Sequence, residues 1–262
     1  MEILYPDYFE PKPYQLDAVK WALKHRKSYL ALDPGLGKTA VAAMIYNTLN
    51  QPFLYICPPF LQWNVLEEFE QLTDRKITLL WTPKGRVFKF KNILGDSILG
   101  REEIQERIRN FVTAAKKKGF DPILFVDEQH RFKTLSAQRS KALYKIEKLF
   151  GRTVLMSGSP MPNRPLELYS VLKHVRPDII GHRNKVEFGK KYCAPKLVSF
   201  YVGGKKKKAW DFKGANRETF KGLAQRMKKD FMLRVTDEVL NLDVKQSLLF
   251  IGDKTPVEAK ID

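Results

Sequence analysis

Short runs of apolar residues alternate along the first 178 residues with longer segments whose apolar positions recur at helical spacing. Uninterrupted apolar runs are typical of buried parallel strands, and a period of three to four residues is typical of amphipathic helices. The pattern predicts strands at 28–32, 53–57, 77–81, 122–126 and 152–156. It predicts helices at 14–25, 38–49, 60–71, 101–118, 136–149 and 165–174. The alternation therefore indicates an α/β fold, with a parallel sheet flanked by helices.

The alternation of strands and helices stops after Pro177, where the chain becomes basic. One further amphipathic helix is predicted at 216–229. These changes divide the chain into an α/β lobe, a basic and mostly helical extension, and a connector, at 1–178, 179–235 and 236–262. The connector is predicted to end in a strand at 247–251.

A glycine-containing loop follows the first predicted strand and precedes the helix at 38–49. Its sequence is Asp33-Pro34-Gly35-Leu36-Gly37-Lys38-Thr39. Free N–H groups of such a loop and of the first helical turn bind phosphate, and glycines let the backbone approach it closely. We expect Lys38 to contact the β- and γ-phosphates and the Thr39 hydroxyl to bind Mg²⁺. Leu32 stands where the full phosphate-loop pattern has glycine, so a simple turn before a helix is the alternative.

Two adjacent acids, Asp127 and Glu128, end the apolar run at 122–126. A buried parallel strand would deliver both carboxylates to the carboxyl edge of the sheet. Asp127 is predicted to bind Mg²⁺, and Glu128 to orient and deprotonate the attacking water. Adjacent acids after a strand also begin helices, but combined with the upstream loop they favour nucleotide hydrolysis. The predicted catalytic residues are Lys38, Asp127 and Glu128.

Polar residues at other segment ends complete the predicted nucleotide site. A glutamine at the start of the first helix can donate and accept toward an adenine edge, although alone it would be an ordinary exposed residue. The candidate nucleotide-binding residues are Tyr14, Gln15, Pro34, Gly35, Leu36, Gly37, Lys38, Thr39 and Ala40. A histidine and two serines at strand ends suit a relay that couples the phosphate state to the rest of the protein. These candidate coupling residues are His130, Ser157 and Ser159.

Positive charge is concentrated in the extension. The chain has 47 Lys and Arg against 29 acids, a formal net charge of +18, and residues 180–234 hold 16 Lys or Arg against 4 acids. Next to aromatic residues, a predicted hairpin or loop tip carries the candidate nucleic-acid contacts Lys205, Lys206, Lys207 and Lys208. Such a tip suits phosphate contact with counterion release, whereas the alternative is a solvated lysine run on a disordered loop. Because no base-reading pattern is evident, we expect sequence-independent binding.

Cysteine content and hydropathy restrict the compartment. Cys57 and Cys193 are too few for a metal cluster and suit a reducing environment. The sequence has neither a segment of signal-peptide form nor a long uncharged apolar stretch, so we expect no membrane partner. These features predict a cytoplasmic protein, and the compact proportions of the chain favour a bacterial or virus-infected cell, or association with the nucleoid.

The order of these motifs resembles the first lobe of a superfamily 2 helicase, and more narrowly the Swi/Snf-type DNA translocases. The matching segments are Gln15, the loop at 35–39, Pro58-Pro59 with Trp63, Asp127-Glu128-Gln129-His130, Ser157-Gly158-Ser159-Pro160 with Asn163, Glu167-Leu168-Tyr169-Ser170, and Phe231-Met232-Leu233-Arg234 with the segment 237–240. The segments that resemble the annealing-helicase branch are Tyr192-Cys193, Trp210-Asp211-Phe212 and Gly214-Ala215-Asn216. The departures are Gln129 for the usual Ala, Val235 for an Arg, Asp243 for a Pro, and the lack of a clear strand at 84–101.

The resemblance implies a RecA-like, ATP-binding lobe of a DNA-dependent ATPase that uses ATP and Mg²⁺ and moves along duplex DNA. It also implies a second RecA-like lobe, supplied elsewhere, that provides an arginine finger. We therefore expect these 262 residues to bind ATP with negligible turnover by themselves. Two alternatives remain: a superfamily 2 helicase that separates RNA or DNA strands, and a non-catalytic DNA-binding module with a relict nucleotide site.

Overall fold

The computed structural model describes residues 2–73, 78–80, 89–161, 163–181, 183–203 and 205–236. The strands within these ranges are β1 Lys27–Leu32, β2 Phe53–Cys57, β3 Thr78–Leu80, β4 Lys91–Gly95, β5 Ile123–Val126, β6 Arg152–Met156, β7 Lys196–Val202, β8 Lys205–Asp211 and β9 Met232–Val235. Seven of them form one parallel sheet in the order β3-β4-β2-β5-β6-β1-β9. The other two, β7 and β8, form an antiparallel hairpin.

Helices cover both faces of the parallel sheet. The helices are α1 Pro13–Lys24, α2 Lys38–Leu49, α3 Gln62–Leu72, α4 Glu102–Lys117, α5 Gln138–Glu147, α6 Tyr169–Val175, α7 Lys185–Tyr192 and α8 Arg217–Asp230. Successive side chains of β2 point to opposite faces, so Leu54 joins the core formed with α4 to α8, whereas Tyr55 joins the core formed with α1 to α3. Burial on both faces explains why these strands are continuous apolar runs.

The sequence pattern predicted the central strands and missed two that lie toward the edges of the sheet. All five predicted strands are present within one or two residues of their expected bounds. β4 begins with the polar Lys91 and Asn92, which broke the apolar pattern. Both are buried because Lys91 Nζ donates to Thr73 Oγ1 at 2.9 Å and Asn92 Nδ2 donates to the Phe53 carbonyl at 3.1 Å. Tertiary partners therefore made this strand possible.

The basic extension contains the helix and the hairpin that the sequence led us to expect, and one strand that it did not. The predicted helix at 216–229 is α8, the lysine run lies in the β7–β8 hairpin, and the extension ends in β9, which pairs with β1. Its last strand thus belongs to the main sheet. Residues 237–262, with the strand predicted at 247–251, lie outside the described residues. Among the described helices, none combines the length and the apolar character needed to cross a bilayer.

Candidate nucleotide site

The three loops that carry the predicted nucleotide site follow neighbouring parallel strands. β5 pairs with β6, and β6 pairs with β1. The carboxyl ends of parallel strands lie at the same edge of a sheet. The segments 33–37, 127–130 and 157–160 therefore meet at one edge, as the motif order predicted.

The phosphate loop turns through two glycines with positive φ. Gly35 has φ +84° and Gly37 has φ +72°, values that residues with a side chain adopt at a cost. α2 begins at Lys38, so the free N–H groups of its first turn adjoin the loop. Leu32, where the full pattern has glycine, is the last residue of β1 and its side chain is buried in the core. The departure therefore falls in the strand, before the loop begins.

Gln15 of α1 is hydrogen-bonded to the phosphate loop. Its Nε2 donates to the Leu36 carbonyl at 3.3 Å, and its Oε1 accepts from the Lys12 N–H at 2.9 Å. A Cβ at Gly37 would lie 2.3 Å from Gln15 Nε2, so a side chain there would displace the glutamine amide in addition to straining the backbone at φ +72°. The amide still has one N–H and one lone pair beyond these two bonds, enough for an adenine edge. Tyr14 packs beside it against the core.

Asp127 is a buried carboxylate beside the loop. Its Oδ1 accepts from the Glu128 N–H at 2.8 Å, and its Oδ2 accepts from the Tyr55 hydroxyl at 3.3 Å. Burial, followed by the charge of Glu128, raises the pKa of Asp127 to about 6. A bound divalent cation would reverse that shift, because it favours the ionised carboxylate. The donor set and its electrostatics thus fit Mg²⁺.

The Lys38 ammonium lies within electrostatic reach of both acids, since its charge lowers the pKa of Asp127 and of Glu128. Lys38 Nζ donates to the Leu32 carbonyl at 3.3 Å. Apart from Gly35 and its two chain neighbours, no atom of the described residues lies within 4 Å of the position that a Cβ would take at Gly35, so the loop borders open space. The loop, the ammonium and the two carboxyls therefore fit a triphosphate with its metal ion.

Glu128 has a left-handed backbone, with φ +47° and ψ +49°. For a residue with a side chain this conformation costs about 1–3 kcal/mol, and such strain is common at functional sites. Its Oε2 lies 3.1 Å from His130 Nδ1, and this hydrogen bond is the main reason that the pKa of Glu128 is lowered. Glu128 is therefore ionised near neutral pH and able to accept a proton.

The three predicted coupling residues form a continuous chain from Glu128. His130 Nδ1 also lies 3.0 Å from Ser157 Oγ, and Ser157 Oγ accepts from the Ser159 N–H at 3.1 Å. Because Nδ1 approaches a carboxylate, the tautomer with the proton on Nδ1 fits this geometry. The structure thus connects the acid pair to the loop that follows β6.

Arg234 on β9 holds the phosphate loop and the loop after β6 together. Its Nη1 donates to the Gly158 carbonyl at 2.8 Å and to the Ala31 carbonyl at 3.1 Å, while Nη2 donates to Asp33 Oδ1. A Cβ at Gly158 would lie 2.9 Å from Pro34 Cδ, so the two loops are in direct contact. The sequence placed Arg234 only in a family motif, and nothing in its spacing indicated this role.

Glu68 of α3 is a second residue that sequence reasoning missed. Burial raises its pKa, while hydrogen bonds from the Thr39 hydroxyl and the Ala40 N–H lower it. The amphipathic pattern of α3 gave no reason to select this acid. Glu68 therefore lies beside the hydroxyl of the predicted Mg²⁺ ligand Thr39.

Gln129, which replaces the alanine usual in the resembling family, is fully buried. Its Oε1 accepts from the Tyr29 hydroxyl at 2.9 Å, and its Nε2 lies 3.3 Å from the Tyr144 hydroxyl. Gln129, the residue after the acid pair, thus links β1 to α5 through hydrogen bonds. The segment is also fixed by Arg131, whose Nε donates to the buried Asp96 at the end of β4 at 2.6 Å.

The four predicted nucleic-acid lysines lie outside the nucleotide site. All four are exposed and occupy consecutive positions at the start of β8, Lys205, Lys206, Lys207 and Lys208. The expected hairpin is present, and its lysines belong to a regular strand.

Comparison with known proteins identifies relatives of the whole described lobe. The family model described as "SNF2-related domain" matches residues 14–251. The chain is 27% identical over 258 residues to the Xenopus laevis SWI/SNF-related matrix-associated actin-dependent regulator of chromatin subfamily A-like protein 1, covering 95% of this chain and 24% of that protein. It is 28% identical over 248 residues to the mouse DNA annealing helicase and endonuclease ZRANB3, covering 90% of this chain and 22% of that protein. The chain thus spans about a quarter of the length of these relatives.

Among solved structures, the Sulfolobus solfataricus SWI2/SNF2 ATPase core in complex with dsDNA has the same fold. The TM-score is 0.65 at 19% identity, covering 90% of this chain and 47% of that chain. The RecA-like architecture of the lobe is therefore shared with that ATPase core.

Proposed function

We propose, from the premise that this chain belongs to the SNF2-related domain family, that it is the ATP-binding lobe of a DNA-dependent ATPase that translocates on or remodels duplex DNA. The convergence of Lys38, Asp127 and Glu128 at one edge of the sheet is the observation that carries the proposal. Phosphoryl transfer in related NTPases uses a lysine on the phosphates, a carboxylate for Mg²⁺ and a residue that positions the attacking water.

In this proposal the phosphate loop binds ATP through its backbone N–H groups. Lys38 contacts the β- and γ-phosphates, and the spare donor and acceptor of Gln15 contact adenine. Thr39 and Asp127 would hold Mg²⁺, with Glu68 accepting a hydrogen bond from the Thr39 hydroxyl so that the oxygen lone pairs face the metal. Bound Mg²⁺ supplies charge neutralisation on the phosphate oxygens.

Glu128 orients the attacking water and accepts its proton. His130 keeps the Glu128 carboxylate ionised and donates to it through Nδ1. Since His130 also contacts Ser157, a change in the position of Glu128 during the reaction moves the loop after β6. This chain is the proposed route by which the nucleotide state reaches the rest of the motor.

Turnover is proposed to require a second RecA-like lobe, which would supply an arginine to the transferred phosphoryl group. Such arginines contribute about 10³–10⁵ in rate in other NTPases. This chain by itself should therefore bind ATP and hydrolyse it at a negligible rate. Robust DNA-stimulated hydrolysis by this chain alone would contradict that part of the proposal.

Duplex DNA is the proposed partner, bound without sequence preference. The charge of +18 and the four exposed lysines of β8 favour a polyanion. Lysine contacts to phosphate fix position on a duplex without reading bases. Affinity should therefore fall steeply with salt and vary little with sequence.

Calorimetric titration of this chain with ATP and Mg²⁺ tests the nucleotide site. We expect saturable heat for the native chain and none for Lys38→Ala, while Lys116→Ala on the exposed end of α4 is the matched control. Absence of binding by the native chain would overturn the proposal. A relict nucleotide site, the non-catalytic alternative, would give that same negative result.

Strand-displacement assays on DNA and RNA duplexes, in an assembly with both lobes, separate a translocase from a strand-separating helicase. A translocase of the proposed type moves along duplex DNA without releasing a strand. ATP-dependent release of a DNA or RNA strand would favour the helicase alternative.

A further inference from the structure

Both strands of the β7–β8 hairpin are exposed almost throughout. Of its fourteen strand residues, all except the half-buried Asp211 are exposed. The exposed set includes large apolar side chains, among them Phe200, Tyr201 and Trp210. A hairpin without a covered face is marginally stable by itself, so its base must be held by the rest of the molecule.

Contacts at the base of the hairpin provide that support. Lys190 Nζ of α7 lies 4.9 Å from the centre of the Trp210 ring, a cation–π contact. A Cβ at Gly189 would lie 2.6 Å from the Phe212 ring, so the helix and the chain leaving β8 are in close contact. The hairpin is therefore anchored at α7, with its turn at the far end.

The lysines are divided equally between the two faces of the hairpin. Side chains alternate along a strand, so Lys205 and Lys207 lie on one face and Lys206 and Lys208 on the other. Phe200 is directly opposite Lys207, whereas Tyr201 is directly opposite Lys206. Each face thus presents two cations and one aromatic ring near the turn.

We propose that this hairpin enters the major groove of duplex DNA with its turn first and contacts the phosphates of both strands, one on each side. This inference rests on the proposed DNA-binding function and specifies its geometry. A flat contact with DNA would use one face only and would leave two lysines directed at solvent. Cations on both faces fit a site with phosphates on two sides.

The dimensions of the hairpin and of the groove agree. A β-layer with its side chains is about 10 Å thick, and the major groove is about 12 Å wide, whereas the minor groove is about 6 Å wide. At about 3.4 Å per residue, the four lysines occupy about 10 Å of β8 from the turn, close to the groove depth of about 8.5 Å. The basic part of the hairpin is therefore the part that the groove can hold.

Removing the lysines one face at a time tests this geometry. The variants are Lys205→Gln with Lys207→Gln, Lys206→Gln with Lys208→Gln, and the control Lys116→Gln with Lys117→Gln on the exposed end of α4. Affinity for a random-sequence duplex is measured against salt concentration. Each lost phosphate contact lowers the log–log slope by about 0.9, so each hairpin pair should lower it by about 1.8 and the control should not change it.

A lower salt slope in only one of the two hairpin variants would overturn the two-sided geometry. A native slope in both variants would overturn it as well. Competition with groove-specific dyes gives an independent readout: methyl green, which occupies the major groove, should displace the chain, and netropsin, which occupies the minor groove, should not. Displacement of the chain by netropsin and not by methyl green would also overturn the inference. So would an affinity for polyglutamate equal to the affinity for duplex DNA.

Unchanged ATP affinity in both hairpin variants establishes that they are folded. If the native chain binds no duplex even at low salt, the proposed DNA-binding function fails together with this inference. If the native chain and both hairpin variants bind duplex equally, the inference alone fails.

Discussion

The edge of the sheet formed by the segments 33–37, 127–130 and 157–160, here called the nucleotide edge, and the β7–β8 hairpin use charged residues in opposite ways. At the nucleotide edge, Asp127 is only 5% exposed and bonded to neighbours, and burial shifts its pKa. On the hairpin, the lysines Lys205 to Lys208 are exposed and differ mainly in the face from which they project. The first region suits chemistry on a bound ligand, because low polarity strengthens each electrostatic interaction. The second suits a partner that approaches from solvent.

The two regions should also respond differently to mutation. Positions at the nucleotide edge are supported by the sheet core and by hydrogen bonds between loops, so single changes there should alter turnover, nucleotide affinity or folding stability, according to the contacts of the residue changed. Positions on the hairpin contact few other residues and should affect only nucleic-acid binding. Four measurements test this contrast.

The largest effect is expected for Glu128→Gln in an assembly that contains both lobes. Removal of the proposed general base should lower DNA-stimulated turnover by about 10²–10⁴-fold, while ATP affinity stays within about twofold of native. The matched hairpin change is Tyr201→Ala, which should leave turnover unchanged at saturating DNA. Native turnover in Glu128→Gln would refute the role assigned to this carboxylate.

The next largest effect concerns folding stability. Leu124 in β5 is fully buried, and Leu124→Ala should lower the free energy of unfolding by about 2–5 kcal/mol. Tyr201 is 72% exposed, so Tyr201→Ala should change the free energy of unfolding by less than about 0.5 kcal/mol. Urea unfolding measures both. A loss of more than about 2 kcal/mol in Tyr201→Ala would mean that the hairpin packs on the lobe.

The pH dependence of stability tests the buried carboxylate. The pKa of Asp127 is about 6 in the folded chain against 3.8 for the free group, so the folded state binds the proton more tightly. Its contribution to stability is therefore fully present below about pH 4 and is lost as the pH rises to about 6, an effect of up to about 3 kcal/mol. Asp127→Asn removes this dependence and should be the more stable protein at pH 7 without Mg²⁺.

Unfolding measured in metal-free buffer at pH 5 and pH 7 would reveal this difference. Tyr201→Ala provides the control, since it should follow the native pH profile. An Asp127→Asn profile parallel to the native one would contradict the raised pKa.

The smallest effect is expected for Arg234, which acts on the nucleotide through the loops it holds. Arg234→Gln removes a charged donor to Asp33 and should weaken ATP binding by about 1–3 kcal/mol. Arg234→Lys keeps the charge and should recover part of that loss. ATP affinity unchanged in Arg234→Gln would limit this arginine to a structural role.

Local pattern was enough to predict most of the sheet and the convergence of the polar residues that follow its central strands. The apolar runs that became β1, β5 and β6 are buried on both faces, so burial alone makes them recognisable. The polar residues that follow them converge because parallel strands end at a common edge. The charge of the extension and the lysine tip of its hairpin were also visible in the sequence.

Other features depended on partners that are distant along the chain. β4 begins with Lys91 and Asn92, whose buried polar groups are satisfied by partners that include Thr73 and Phe53. Arg234 contacts Asp33 some two hundred residues away. No local spacing contains that information.

The sequence by itself determined the strand and helix order, the phosphate loop, the acid pair and the place of the positive charge, because each is a property of neighbouring residues. The tertiary structure decided that β9 returns to pair with β1, that Arg234 holds two loops together, and that the lysines face both sides of a hairpin. The physical reason is that hydrogen bonds and ion pairs between distant segments depend on how the chain packs, which local periodicity does not specify.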